Sequence, residues 1–133
     1  MTLVTGAAGH LGNALVRELV KRGEAVRALA LPGEDCGCLA GLGVEIARGN
    51  TLDPASLVPA FAGAATVYHL AGIISIQPGR DALMRQVNVI GTANVLRAAR
   101  EARARRLVYV SSIHALGRPP RGVTIDESVP FDP

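Results

Sequence analysis

The sequence predicts an α/β fold, a doubly wound parallel sheet with strand order 3-2-1-4-5. Two observations carry most of this. Short apolar runs alternate with longer stretches of helical period along the whole of the 133 residues, the pattern that lays helices on both faces of a parallel sheet. The apolar content of 49% comes mainly from Ala, Val, Leu and Ile, with aromatics at 3% and no Trp, which suits strands buried on both faces. Right-handed crossovers and a reversal of winding direction then set the strand order. A chain of this length makes one domain.

Each element follows from its own residues. Thr2 to Thr5 is a buried strand ending at a glycine. His10 to Arg22 places Leu11, Leu15, Leu19 and Val20 on one face and reads as an amphipathic helix stopped by Gly23. Ala25 to Leu29 is the second strand, after which Pro32-Gly33 turns the chain. Val44 to Ala47 is the third. Asp53-Pro54 then opens a short helix, with Asp at the cap and Pro in the first helical position. Ala65 to Leu70 is the fourth strand, followed by a Gly- and Ile-bearing loop with a turn at Pro78-Gly79. From Asp81 to about Ala104 a long helix sets Leu83, Val87, Ile90, Val95 and Ala98 along its buried stripe. Leu107 to Val110 is the fifth strand and runs into Ser111-Ser112, and the Gly/Pro-rich tail reads as loop.

Composition narrows the function. The net charge is +3, and Lys21 is the only lysine among 14 basic residues. Arg97, Arg100, Arg103, Arg105 and Arg106 gather at the end of the long helix, where cations complement the helix dipole. Few aromatics interleave with them, so no nucleic-acid partner is expected. Cys36 and Cys38 stand too close in sequence for an unstrained disulfide, and no further Cys completes a thiolate site. No metal is expected, and reduced thiols suit a cytoplasmic protein. No signal peptide or apolar run near roughly eighteen residues occurs, so no membrane span is expected.

The chemistry begins at Thr5-Gly6-Ala7-Ala8-Gly9-His10-Leu11-Gly12-Asn13, between the first strand and the first helix. Gly6 permits the tight turn out of the strand, and Gly9 lets backbone approach a pyrophosphate. Gly12 lets the helix pack closely, while the helix start supplies unpaired N–H groups and partial positive charge. Glycines at this spacing in a strand-to-helix context predict dinucleotide binding and a Rossmann fold.

The spacing TGxxGxxG is similar to that of the short-chain dehydrogenase/reductase family, in its extended, epimerase/dehydratase-type branch. Four further stretches resemble that family in the same order: Tyr68-His69-Leu70-Ala71-Gly72, Asn88-Val89-Ile90-Gly91-Thr92-Ala93-Asn94, Leu107-Val108-Tyr109-Val110-Ser111-Ser112, and Asp126-Glu127-Ser128-Val129-Pro130. Within the branch, HLAGIISI and SSIHALG look most like bacterial dihydroflavonol-reductase-like proteins. The resemblance implies an NAD(P)-dependent oxidoreductase acting on a carbonyl or CH–OH group of a small molecule. The alternatives are a nucleotide-sugar epimerase or dehydratase and a non-catalytic dinucleotide-sensing module.

The resemblance implies that backbone around Gly9, His10 and Leu11 cradles the pyrophosphate, with Gly6 and Gly12 also counted in the cofactor site. Asn50, Thr51, Leu70, Ala71, Gly72, Asn88 and Val110 complete the cofactor site. Asn50 stands where the family usually has Asp, and would accept from the adenine amino group through its amide carbonyl. Asn88 would also brace neighbouring strands. Ser112 would polarise the substrate carbonyl. His69, flanked by apolar residues, reads as a hydrogen-bonded core histidine, and His114 lies beside the proposed site. The stretch Ala28 to Pro32, where the adenine ribose is read, carries neither an acid nor an arginine, which leaves NAD and NADP both open.

The family's proton donor is a tyrosine with a lysine four residues later. Tyr68 and Tyr109 are followed at that distance by Gly72 and Ile113, and no lysine follows Lys21. Residues 1–133 are therefore expected to form an incomplete nucleotide-binding domain without the substrate-binding part, inactive alone and able to self-associate, as a homodimer for example, through unpaired strand edges.

Overall fold

The short apolar runs become five parallel strands: β1 (Thr2–Thr5), β2 (Val26–Ala30), β3 (Glu45–Arg48), β4 (Thr66–His69) and β5 (Arg106–Tyr109). The computed structural model describes residues 1–75, 77–117 and 122–131. The strands lie in the order β3-β2-β1-β4-β5, as predicted. Winding proceeds outward from β1 to β3, then restarts on the other side at β4. The reversal leaves a crevice at the carboxyl ends of β1 and β4.

Helix α1 (His10–Lys21) and helix α2 (Pro54–Phe61) form where expected. Asp53 caps α2 by accepting from the Ala55 N–H at 3.1 Å, with Pro54 supplying the first turn. The buried stripe of α1 is Gly12, Val16 and Leu19. It runs one residue later than predicted at its start, so Leu11 falls on the rim and is 54% exposed.

The long helix differs more. It consists of α3 (Asp81–Arg85), a π-helical segment Gln86–Gly91, and α4 (Thr92–Glu101). A π segment widens the turn and shifts the phase of everything before it. Val95 and Ala98 are buried as expected, with Gly91, Asn94 and Ala99. Leu83 and Ile90 are exposed instead, and Val87 is only half-buried. Strand boundaries shift by a residue in β2, β3 and β5, β4 is a residue shorter at each end, and a short 3-10 turn, Ile113–Ala115, interrupts the tail expected to be loop.

Side chains alternate across the sheet and build two cores. Leu3, Leu29 and Val67 pack with Leu57 and Phe61 of α2 and Val95, Ala98 and Ala99 of α4. Val4, Val26 and Ala28 pack on the other face with Val16 and Leu19 of α1 and Leu39. Arg27 points into the α2 side. Its Nη1 donates to the carbonyls of Ala60 and Ala62 at 2.8 Å each, closing the end of α2, and its Nε lies 2.8 Å from Glu45 Oε1. Among the described residues no helix is long and apolar enough to cross a membrane.

Among the described residues Phe61 is the largest fully buried side chain. Phe61→Ala is expected to lower the unfolding free energy by roughly 3–5 kcal/mol, read from urea titrations. Ile74→Ala, at a side chain 93% exposed, should stay within about 0.5 kcal/mol.

Candidate functional site

The loop between β1 and α1 is shaped by two close approaches that only glycine allows. Gly6 has φ +68°, and a Cβ there would meet Ala71 N at 2.8 Å and the carbonyl carbon of Leu70 at 2.9 Å. A Cβ on Gly12 would collide with the carbonyl oxygen of Gly6 and lie 2.8 Å from Ala7 Cα. The first turn of α1 therefore rests on the loop itself. No side chain caps α1, and no acidic residue stands in its first turn. Its opening N–H groups lack helical partners and carry the positive end of the dipole.

These approaches frame a cavity of about 420 Å³ at the carboxyl ends of four strands. Its walls are Thr5, Gly6 and Gly9 after β1; Leu29, Leu31 and Glu34 after β2; Gly49, Asn50, Thr51 and Leu52 after β3; and Leu70 to Ile73 after β4, with Val87. Four neighbouring strands span about 14 Å, so this is a groove suited to an extended ligand. Its loop backbone and uncapped helix end suit a pyrophosphate, and its apolar walls suit flat rings.

Behind the groove runs a closed circuit of hydrogen bonds. The Ala71 N–H donates to Thr5 Oγ1 at 3.1 Å, and Thr5 Oγ1 lies 2.7 Å from His69 Nδ1. His69 Nε2 lies 3.0 Å from Thr92 Oγ1, which donates to the Asn88 carbonyl at 2.7 Å. The Asn88 side chain pairs with the backbone of Ile73 in both directions, at 2.9 and 2.8 Å. Because Thr92 gives its proton to Asn88, it accepts from His69, so Nε2 carries the hydrogen. In the neutral ring Nδ1 then accepts from the Thr5 hydroxyl. His69 is fully buried and lies beside the Tyr109 ring at 5.6 Å between centroids. Burial pushes its imidazole down from 6.5 to about 4.

The structure gathers Gly6, Gly9, Asn50, Thr51, Leu70, Ala71 and Gly72 of the predicted set around the groove. His10 and Leu11 are exposed at the start of α1, and Gly12 is buried beneath it; none of these three lines the cavity. The Asn50 side-chain oxygen accepts from the Leu52 N–H at 2.9 Å in a local turn and keeps a second lone pair. Asn88 braces the loop after β4 and does not line the cavity. Val110 donates its N–H to the His69 carbonyl at 3.0 Å, and the exposed Ser112 accepts from the Ala115 N–H at 2.9 Å through its carbonyl; neither lines the cavity. The side chain of His114 lies outside the described residues. Sequence reasoning missed Glu34, which reaches the groove from a turn beyond β2, and Thr5 and Thr92, whose hydroxyls read as ordinary strand and helix residues.

A parallel sheet reversing at β1, with a glycine loop and a groove at that point, defines a dinucleotide-fold protein. Residues 2–133 match the model of the NAD dependent epimerase/dehydratase family, and the chain belongs to that family. It is 43% identical over 99% of its length to sterol demethylase protein B of Methylococcus capsulatus, of which it covers 41%. A Synechocystis protein provisionally named dihydroflavonol 4-reductase is 37% identical over 94% of the chain, with 36% of the relative covered. A short-chain dehydrogenase/reductase superfamily protein from Agrobacterium tumefaciens, solved with bound NAD, superposes with a TM-score of 0.85 at 34% identity. That match covers all of this chain and 39% of the other. The chain thus spans about two fifths of these proteins' length.

The neutral His69 makes stability depend on pH. The unfolded chain takes up a proton near pH 6.5, whereas the native ring resists it until about 4. The stabilisation is complete above pH 6.5 and is lost as pH falls toward 4, by about 3 kcal/mol for the whole shift. Urea midpoints measured across this window should fall for the native sequence. His69→Gln, which keeps a donor and an acceptor but does not titrate, should flatten that part of the profile.

Proposed function

We propose that this chain is the NAD(P)-binding part of an oxidoreductase acting on a carbonyl or CH–OH group of a small molecule. The observation that carries the reading is the groove across the ends of β1 to β4, floored by Gly6 and Gly9 beside the uncapped start of α1. In this reading the loop backbone and α1 hold the pyrophosphate. Leu29, Leu31 and Leu52 enclose the adenine, and Leu70 to Ile73 flank the route toward β5. The nicotinamide, when bound, supplies or accepts hydride. In the same reading Ser112, which follows β5, would donate a hydrogen bond to a substrate oxygen. The tyrosine–lysine pair that would supply the proton is not among these residues.

The matched family favours a second reading, in which the same groove serves a nucleotide-sugar epimerase or dehydratase. There the cofactor is regenerated within each cycle, so substrate converts without net consumption of NAD(P)H. Both readings place the protein in the cytoplasm, consistent with free Cys36 and Cys38. Both take a dinucleotide and a small-molecule substrate as partners, without nucleic acid or membrane. The exposed Tyr109 and Val110 at β5 support self-association as a homodimer.

Calorimetric titration of the chain with NADH tests the reading. Saturable binding at one equivalent is expected, with no NAD(P)H oxidation in the presence of ketones. Gly9→Asp, at a position of ordinary extended backbone (φ −72°, ψ 170°), should weaken binding more than about tenfold by placing a carboxylate against the pyrophosphate. Circular dichroism should remain native. A folded chain indifferent to both NADH and NADPH would refute the proposal.

A further inference from the structure

Cys36 and Cys38 are two thiols that the groove reading leaves unused. They stand on either side of Gly37, at the start of the 3-10 turn Gly37–Leu39, with Cys36 half-buried and Cys38 exposed. Residues two apart in a helical turn do not face each other, and these thiols reach different loops. The Cys36 thiol donates to the Glu34 carbonyl at 3.6 Å, and its Sγ lies 3.8 Å from Arg48 Nη1. The same Nη1 donates to the carbonyls of Leu31 and Glu34 at 2.9 Å each. It thereby gathers the turn after β2 from which Leu31 and Glu34 line the groove. The Cys38 thiol donates to the Ala8 carbonyl at 3.7 Å, between the groove residues Gly6 and Gly9. The Cys38 carbonyl accepts from Asn13 Nδ2 at 3.1 Å and from Arg17 Nη2 at 2.8 Å, both on α1. This pair of cysteines thus joins the loop after β2 to the glycine loop.

The arrangement suits exchange with a low-molecular-weight disulfide, RSSR. Such a reagent reaches the exposed Cys38 first. The Cys38 thiolate attacks one sulfur, the RS–SR bond breaks, and RS⁻ leaves to take up a proton. Cys36 then attacks the Cys38 sulfur of the mixed disulfide and expels the second RS⁻. Two protein thiols are oxidised to one disulfide, and RSSR is reduced to two RSH. Gly37 between them gives the backbone freedom to bring the sulfurs together. That freedom is required, because cysteines that point apart are bridged only if backbone moves. Closure withdraws Cys36 from Arg48 or Cys38 from Ala8, while Leu39, buried in the core with Val16 and Leu19, resists the movement. A bridge that works against the fold opens readily to reductant, as regulatory disulfides do and structural ones do not.

We propose that Cys36 and Cys38 form a reversible dithiol–disulfide site, oxidised by low-molecular-weight disulfides, whose closure loosens the dinucleotide groove. The bridging stands on the two thiols alone, and the loosening rests on the groove reading above. Coupling between two sites is reciprocal, so a bound dinucleotide in turn holds the pair reduced.

The test exposes the full chain to glutathione disulfide and reads mass, thiol content and NADH affinity. The native sequence should lose both thiols together, as a single chain lighter by two hydrogens, and recover them with reductant. NADH binding, measured by calorimetry, should weaken at least about fivefold in the bridged form. Saturating NADH should lower the bridged fraction at a fixed ratio of glutathione disulfide to glutathione. Cys36→Ser should stop at a stable glutathione adduct on Cys38, and Cys38→Ser should leave the half-buried Cys36 unmodified. An adduct that accumulates on the native chain, a bridge between two chains, or no reaction would overturn the proposal, as would a bridged chain with unaltered NADH affinity. Should a variant fail to fold, the mass and affinity of the native chain decide alone. A reduced chain that binds neither NADH nor NADPH would overturn the groove reading and the loosening with it, whereas failure of the pair to bridge shows in the mass whatever the groove binds.

Discussion

Helix α1 starts where it does because Gly12 lies directly on the carbonyl of Gly6, and Gly6 in turn is pressed against the backbone of Ala71. Three pieces of main chain, one from the loop, one from α1 and one from the end of β4, meet with no side chain between them. Everything else about the groove depends on this contact. It brings the open end of α1 over the point where the sheet reverses direction, and it sets the distance between the walls after β1 and β4. A single methyl group at Gly6 or Gly12 would force backbone to move, since the nearest atoms in each case belong to main chain rather than to a flexible side chain.

Close backbone contact of this kind leaves polar groups behind it that water does not reach, and the Thr5–His69–Thr92–Asn88 circuit satisfies them. Thr5 and His69 are completely buried, so each unmatched donor or acceptor would cost about 1–3 kcal/mol. The circuit closes through Ile73 and Ala71, the residues that line the groove after β4. It also reaches the π segment, because Asn88 and Thr92 sit within and just after it. The widened π turns and the fixed histidine tautomer thus belong to one arrangement. The segment presents Asn88 to the loop and Thr92 to the ring, while Gly91 lets the helix approach Thr51, whose Oγ1 would lie 2.9 Å from an added Cβ.

The sheet, its order and the glycine loop were legible in the sequence because they rest on local patterns: apolar runs four or five residues long, glycines three apart, and Asp-Pro opening α2. The departures have a common cause. Leu83 and Ile90 were assigned to the buried stripe by extending one helical phase across a π segment, which periodicity does not register. His69 was legible as a core histidine from its apolar neighbours, yet its partners Thr5 and Thr92 lie 64 and 23 residues away. Glu34 is not legible from the strand end, because the turn at Gly33 folds the chain back and delivers its side chain to the groove from beyond it. The local turn in which Asn50 Oδ1 accepts from the Leu52 N–H depends on backbone geometry that the sequence does not display.

The groove's walls come from one part of the chain. Among the described residues, all that line it lie between Thr5 and Val87, in β1 to β4, their following loops and the first π turn. Val110 and Ser112 stand apart from it beyond β5. The contacts that shape the groove, from Gly12 on Gly6 to the circuit through His69, are likewise all made within residues 5–92. β5 contributes the Tyr109 ring beside His69 and a backbone bond from Val110, which support the circuit from behind without entering the groove. The exposed Ser112 and Ile113 lie on the β5 side, apart from these walls.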